Sequence, residues 1–512
     1  MVLLLVLGVF FRFYQIDQKV YWYDETMTSL RMSGYTQAQF EANVYGSGIL
    51  TVDTLREGYQ YPDNGSTSEA MWAALRQHPE HSPVYYVLAR SWMQVMPNTV
   101  FFMRLLSVLI SLLVLPCMYW LTWELFGSSL VSWVATALVA ISPFHVLYAQ
   151  EAREYALWTV TILGSSATLL WALRQRQPAI AWTTYGVVNA LALYVHPFSG
   201  LVGMSHGLYV LMTQRWRLNR QTLSYAIATG FSILLFLPWL GVVLEQSHLF
   251  VGNTASVTQP RSGFLPLFWL LNLSRLFFDL NQGPSAINPA HYLLLLLVWV
   301  ASVYLCRQSP SSRWSFVLLL MGVTGLALLG PDVLLGGRRS SITRYAIPAY
   351  LGIQISVAFF LANQIITNPF AVGPHFRYQR RWQVVAIALA LAGIISCGVN
   401  AHNPVWWHKS YAKSRRNPDV ARVINGSDRP LVITDKKPAG QILSLIHLLE
   451  PEVSMQLVDR PGQIRTPQRF SDIFLYLPSD RVKQQVERKT KTTLEPVTFD
   501  SGDDPWLWRV SR

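Results

Sequence analysis

Charge is what this chain has least of. Asp, Glu, Lys and Arg make up 13% of its 512 residues, where a soluble domain carries about 25%. The deficit excludes an ordinary soluble protein and points to the bilayer, as does a hydrophobic content of 51%. Acids are scarcer than bases, which leaves a net charge of +13. A nucleic-acid binder would gather those bases into a patch. Here they fall mostly in short loops between apolar runs, the distribution of membrane topology, so no nucleic-acid partner is expected. The three cysteines, Cys117, Cys306 and Cys397, sit in or at the ends of apolar segments and form neither a disulfide framework nor a metal spacing. Internal repeats and low-complexity tracts are lacking. So are the basic n-region and small-residue cleavage site of a signal peptide. The opening MVLLLVLGVFFRFYQ is short for a span of about 20 residues, so a true start upstream is expected.

What is present is a series of apolar runs, at about 101–123, 129–147, 155–173, 180–195, 199–213, 223–244, 291–306, 314–335, 345–363 and 383–400. With the first segment they predict roughly eleven transmembrane helices. The loops RQRQP (174–178), RWRLNR (215–220), RQSPSSR (307–313) and FRYQRR (376–381) are basic, which makes them cytoplasmic. Counting back puts SPFHVLYAQEARE (142–154) outside. The first loop, about 15–100, then starts and ends outside, so the apolar stretch SPVYYVLARSWMQVM (82–96) is expected to lie along the interface or to dip in and return. A second external loop, about 245–290, holds the amphipathic RSGFLPLFWLLNLSRLFFDL. Beyond about 401 the strand-like runs RPLVITD, VSMQLVD and DIFLYLP alternate with the helical AGQILSLIHLLE and DRVKQQVERKT. That pattern predicts a small extracytoplasmic α/β domain over 401–512 behind a membrane domain over 1–400. The tail has no glycine-rich nucleotide fingerprint and reads as a docking or acceptor-facing module.

Three clusters carry chemistry. Asp24 and Glu25, in VYWYDETMTSLR, follow the first span among Tyr21, Trp22 and Tyr23. A plain loop would use such acids for solubility. The flanking aromatics argue against free solvation, and desolvation raises a carboxyl pKa and favours a base. YAQEAREYAL (148–157) sets Gln150, Glu151, Arg153 and Glu154 at a membrane edge, either as a helix-end ion pair or as a site. GGRRSSITRYAIP (336–348) carries Arg338, Arg339 and Arg344, followed by Tyr345, on the expected external side. Positive-inside topology does not explain them there, and an arginine fork suits a phosphate. General binding of anionic membrane lipids is the plainer reading. His81, His145 and His196 are external helix-end histidines, usually structural. Together with Asp24 and Glu25 they leave a divalent metal open, although no ligand spacing supports one. The sequons at Asn64, Asn272 and Asn425 are too short to carry weight. A base, a cationic pocket and a membrane on one face suggest transfer of a group from a lipid-linked phosphate donor to an acceptor hydroxyl. A secondary transporter or lipid flippase is the alternative, but charge-poor span centres and the lack of repeats disfavour it. A non-catalytic receptor using the tail for binding is a third class.

The order of WYDE, HSPVYYVLARSW, FMRLLSVLISLLVLP, SPFHVLYAQEAREYAL, VHPFSG and RYAIP resembles GT-C class membrane glycosyltransferases of the glycosyltransferase 39 type. These are the protein O-mannosyltransferases, lipid A aminoarabinose transferases and related bacterial enzymes. The resemblance covers about 1–400. It implies a multi-pass protein of the bacterial inner membrane that moves a sugar, with inversion, from a polyprenyl-phosphate donor to a glycan, lipid or protein acceptor on the external face. It implies that Asp24 is the base and that Glu25 assists it or orders the loop. Arg153 and Arg344, with His81, match positions near the lipid phosphate, and HSP stands where HPP is common. No metal or other cofactor is required by it.

Overall fold

The computed structural model describes residues 1–62, 65–175, 178–259, 264–283, 285–365, 374–406, 411–435, 439–499 and 505–511. Asn64, residues 176–177 of the RQRQP loop and residues 261–263 of the second external loop lie outside the described residues. The chain divides into two units. One comprises Met1–Ile16, His78–Tyr85 and Arg104–His402; the other comprises Asp17–Gln77, Tyr86–Met103 and Asn403–Arg512.

The first unit is helical, and each apolar run of the sequence is a helix in it. Among the described residues seven helices are long and apolar enough to cross a membrane. An eighth span arises if Ser129–Ala140 and Pro143–Ala149, bent by 60°, count as one. Val2–Phe13, Pro178–Val195 and Ser199–Thr213 account for the other three expected spans without meeting that test. The helix ends follow local chemistry. Asn219 and Asn288 cap Arg220–Glu245 and Pro289–Gln308 with their side-chain oxygens. Gly127, at φ +64°, closes Val114–Phe126 in the left-handed conformation.

The bend at 141–142 leaves helix-end carbonyls inside the protein, where water cannot satisfy them. Arg12, fully buried, supplies the donors. Its Nη1 reaches Ala140 O and Gly8 O at 2.6 Å each, and its Nη2 reaches Val139 O at 3.4 Å. Gly8 lets the first helix come this close, since a Cβ there would stand 2.5 Å from Ala140 O. Arg12→Met is therefore expected to cost about 3 kcal/mol, from unpaired buried carbonyls, with Arg12→Lys recovering part. Thermal unfolding in detergent reads the loss, and an unchanged midpoint for Arg12→Met would refute the capping role.

The second unit holds a six-stranded sheet in the order β1-β3-β2-β4-β6-β5. The strands are β1 (Ile49–Thr51), β2 (Pro430–Thr434), β3 (Ser454–Leu457), β4 (Asp472–Tyr476), β5 (Leu494–Val497) and β6 (Leu507–Val510). β2 runs parallel to β3 and β4, and the other pairings are antiparallel. The three strand-like runs of the tail are β2, β3 and β4, and its two helical patterns are Gly440–Ile446 and Asp480–Thr490. The unit is not the tail alone, as a boundary at 400–401 would have it. β1 comes from the first loop, and Met27, Leu30, Phe40 and Leu55 share one apolar core with Val432, Ile442 and Phe474. The apolar stretch 82–96 forms the helix Val84–Met93, whose ten residues reach about 15 Å, half the hydrocarbon thickness.

Candidate functional site

In the first unit Arg153 and Arg344 meet over one aromatic ring. Arg153 lies between the bent pair and Tyr155–Arg174; Arg344 lies in the short turn Thr343–Ala346, ahead of Ile347–Ile365. Their guanidinium carbons stand 5.6 and 5.7 Å from the centroid of Tyr155, and Arg344 is 5.5 Å from that of Tyr345. Each geometry suits a cation–π contact. Arg153 Nη2 pairs with Glu154 Oε1 at 3.0 Å, both side chains buried. His196 stacks on Trp158 at 3.9 Å and 14° and lies 6.5 Å from Tyr345. Burial, then the fields of Arg153 and Arg344, push its imidazole down to about 3, so it is neutral at any physiological pH. Two cations, a neutral imidazole and three aromatic rings thus converge.

The turn carrying Arg344 is anchored on both sides. Upstream, buried Asp332 accepts from Ser340 N at 2.7 Å and Ser340 Oγ at 2.6 Å, and pairs with Arg339 at 3.1 Å. Arg338 donates to Ser256 O at 2.9 Å. These two arginines hold the loop, whereas Arg344 faces Tyr155. On the other side Arg275, 1% exposed, pairs with Asp279 at 3.2 Å and donates to Asn272 Oδ1 and Thr343 Oγ1. Asn272 Nδ2 donates to Ser341 O, which makes this sequon asparagine a buried strut. Asn425 likewise bonds Leu448 O and Glu450 N. The sequence offers Asn272 only as a sequon and gives Arg275 and Asp279 no role. Their only signal was two charges, Arg275 and Asp279, four residues apart in an apolar stretch. Removing one partner of a buried ion pair strands the other. Asp279→Ala is expected to cost about 3–5 kcal/mol, with Asp279→Asn milder. Equal thermal stability of Asp279→Ala and the parent would show the pair to be dispensable.

The other candidates of this unit serve neighbouring backbone or lie elsewhere. Gln150 Nε2 donates to Phe11 O, Arg12 O and Tyr14 O, closing the end of Val2–Phe13. Glu151 is fully buried. His145 bonds Gln354 at 2.9 Å inside the helices. His81 sits 3.8 Å from Glu80, beside His78 and Asn253. Burial opposes ionisation of Glu80, but hydrogen bonds from His78 and Asn253 outweigh it and hold its carboxyl below the ordinary value.

In the second unit Asp24 and Glu25 open the helix Tyr23–Met32, where acids complement the helix dipole. They differ in environment. Glu25 is fully buried and its Oε2 accepts from Trp22 N at 3.2 Å, which satisfies one backbone donor at the start of the helix. Asp24 is half-buried. Tyr21 and Trp22 are buried as well, so the aromatics pack into a protein core rather than only bordering a membrane. Lys413 Nζ lies 3.7 Å over the ring of Tyr23, and Gly440 packs so close to that ring that a Cβ would collide with it. Burial, then the charge of Asp24, raises the Tyr23 phenol above its ordinary value. Among the described residues no three His, Cys, Asp or Glu side chains group so as to hold a metal ion. His81, His145, His196, Asp24 and Glu25 thus supply no such cluster.

Residues 78–241 match the family described as dolichyl-phosphate-mannose-protein mannosyltransferase. None of the curated proteins matches the sequence. In fold the chain is similar to ArnT from Cupriavidus metallidurans bound to undecaprenyl phosphate. The TM-score is 0.53 at 14% identity, covering 99% of this chain and 97% of that one. The apo structure of the same protein gives the same values. The chain is an integral membrane protein with the GT-C fold, similar to the protein mannosyltransferases and to ArnT.

Proposed function

We propose that this chain transfers a sugar from a polyprenyl-phosphate donor to an acceptor hydroxyl, with inversion. The observation that carries the reading is the convergence of Arg153 and Arg344 on Tyr155, a cationic pair suited to a phosphate. The fold similarity to ArnT, solved with undecaprenyl phosphate, supports a lipid phosphate as the ligand. Asp24 is the general base. Asp24 is half-buried and borders Tyr23, whereas Glu25 is fully buried at the start of the helix.

The chemistry balances without a cofactor. The acceptor oxygen gives its proton to Asp24 and attacks the anomeric carbon as the bond to the phosphate oxygen breaks. Polyprenyl phosphate leaves with the bonding electrons and an added negative charge, which Arg344 and Arg153 stabilise. Attack opposite the leaving group inverts the anomeric centre. The basic loops argue for reaction at the external face, and the resemblance to bacterial enzymes argues for a bacterial inner membrane. The test uses purified protein in nanodiscs, polyprenyl-phosphate pentoses and hexoses as donors, and a mixture of glycan, lipid and peptide acceptors. Polyprenyl phosphate released in step with a covalent product is the expected result. Substrate uptake into vesicles with no covalent product would overturn the reading in favour of transport.

A further inference from the structure

We infer that the second unit carries a binding site for a phosphorylated saccharide, in a cavity beside the carboxyl end of β3. The ligand class rests on the proposed glycosyl transfer, for which this site would hold the acceptor. The cavity measures about 330 Å³, within the range of small-molecule sites. It lies where the turn Gly46–Gly48 enters β1, β3 ends at Leu457, and the loop 462–465 returns. Sheets with parallel strands collect ligands outside those carboxyl ends, because loops there diverge and leave a crevice.

The lining says what kind of ligand fits. Among the described residues Arg465 and Lys489 line the cavity and no carboxylate does. Asp459 stands just before the loop, followed at once by Arg460. No aromatic side chain among the described residues lines it either, so stacking on a neutral sugar is not offered there and charge supplies the affinity. Gln463 Nε2 and the Ser47 hydroxyl add groups that suit sugar hydroxyls. The space exceeds that of a lone anion.

The cavity is also built in advance. Gln456, 1% exposed, donates to Gln463 O at 3.1 Å and accepts from Arg465 N at 3.0 Å. Gln463 Oε1 accepts from Asp459 N at 2.9 Å and Arg460 N at 3.1 Å. Gly46 sits at φ +82°, and a Cβ on it would stand 2.7 Å from Gln463 Nε2. That close approach fixes the amide against the turn. Lys489 Nζ donates to Ile464 O and steadies the rim. Arg465 is exposed, so replacing it tests binding with little risk to the fold.

The test is calorimetric titration of the full chain in detergent with glucose 1-phosphate, glucose and inorganic phosphate. Glucose 1-phosphate is expected to bind, inorganic phosphate more weakly, and glucose not measurably. Arg465→Ala should weaken glucose 1-phosphate binding about tenfold and Arg465→Glu further, at unchanged melting temperature. Equal affinity of the parent and both variants would overturn the site. Inorganic phosphate binding as tightly as glucose 1-phosphate would overturn the saccharide. Asp24→Asn should bind as the parent does, so loss of transfer and loss of this site are read separately.

Discussion

Asp24→Asn is expected to lower turnover about 10²–10⁴-fold while the protein still folds and still binds its donor. Asn keeps the shape of the side chain and its place in the first turn of Tyr23–Met32 but does not take a proton. The loss should therefore fall on kcat rather than KM. Glu25→Gln supplies the contrast. Its carboxylate is buried and caps Trp22 N, so neutralising it weakens the helix start by about 1 kcal/mol and should appear mainly as a lower melting temperature. The two variants thus separate neighbouring acids that the sequence offers as one pair. Undiminished turnover of Asp24→Asn on a polyprenyl-phosphate donor would sink Asp24 as the base.

The helices were legible because a bilayer demands long apolar runs, and each run became a helix. The three parallel strands of the tail were legible for a related reason: PLVIT, SMQL and DIFLY are short, apolar and bounded by polar turns. β1 was not, since three residues inside a polar loop carry no signal until β3 pairs with them. β5 and β6 were equally silent, with partly exposed residues and pairing only to each other and to β4. Within the site, charge type was readable and partnership was not. GGRRSSITRY shows three arginines of equal standing, yet Asp332 engages Arg339, a backbone carbonyl engages Arg338, and only Arg344 joins Arg153 at Tyr155. Which arginine stands with Arg153 depends on contacts between residues far apart in sequence. Arg12 was hidden in the same way, for nothing in LGVFFRF announces a bent helix at 141–142 whose carbonyls need a donor.

Arg344→Ala is expected to lower kcat/KM about 10²–10³-fold, by weakening the donor's ground state and the departing phosphate together. Arg153 is paired with buried Glu154, so its loss strands a carboxylate and mixes instability with any effect on catalysis. Arg344 contacts the faces of Tyr155 and Tyr345, which tolerate a missing cation at about 0.5–1 kcal/mol each. Lysine at 344 keeps a charge but not the planar fork, so Arg344→Lys should recover part of the donor affinity and little of the turnover. Inhibition by added polyprenyl phosphate provides a measurement independent of the acceptor. If Arg344 holds the phosphate, the inhibition constant should rise in Arg344→Ala by about the factor lost in donor affinity, since the same oxygens are bound before and after transfer. Unchanged inhibition by polyprenyl phosphate in Arg344→Ala would place the lipid phosphate elsewhere, whatever the variant did to the rate.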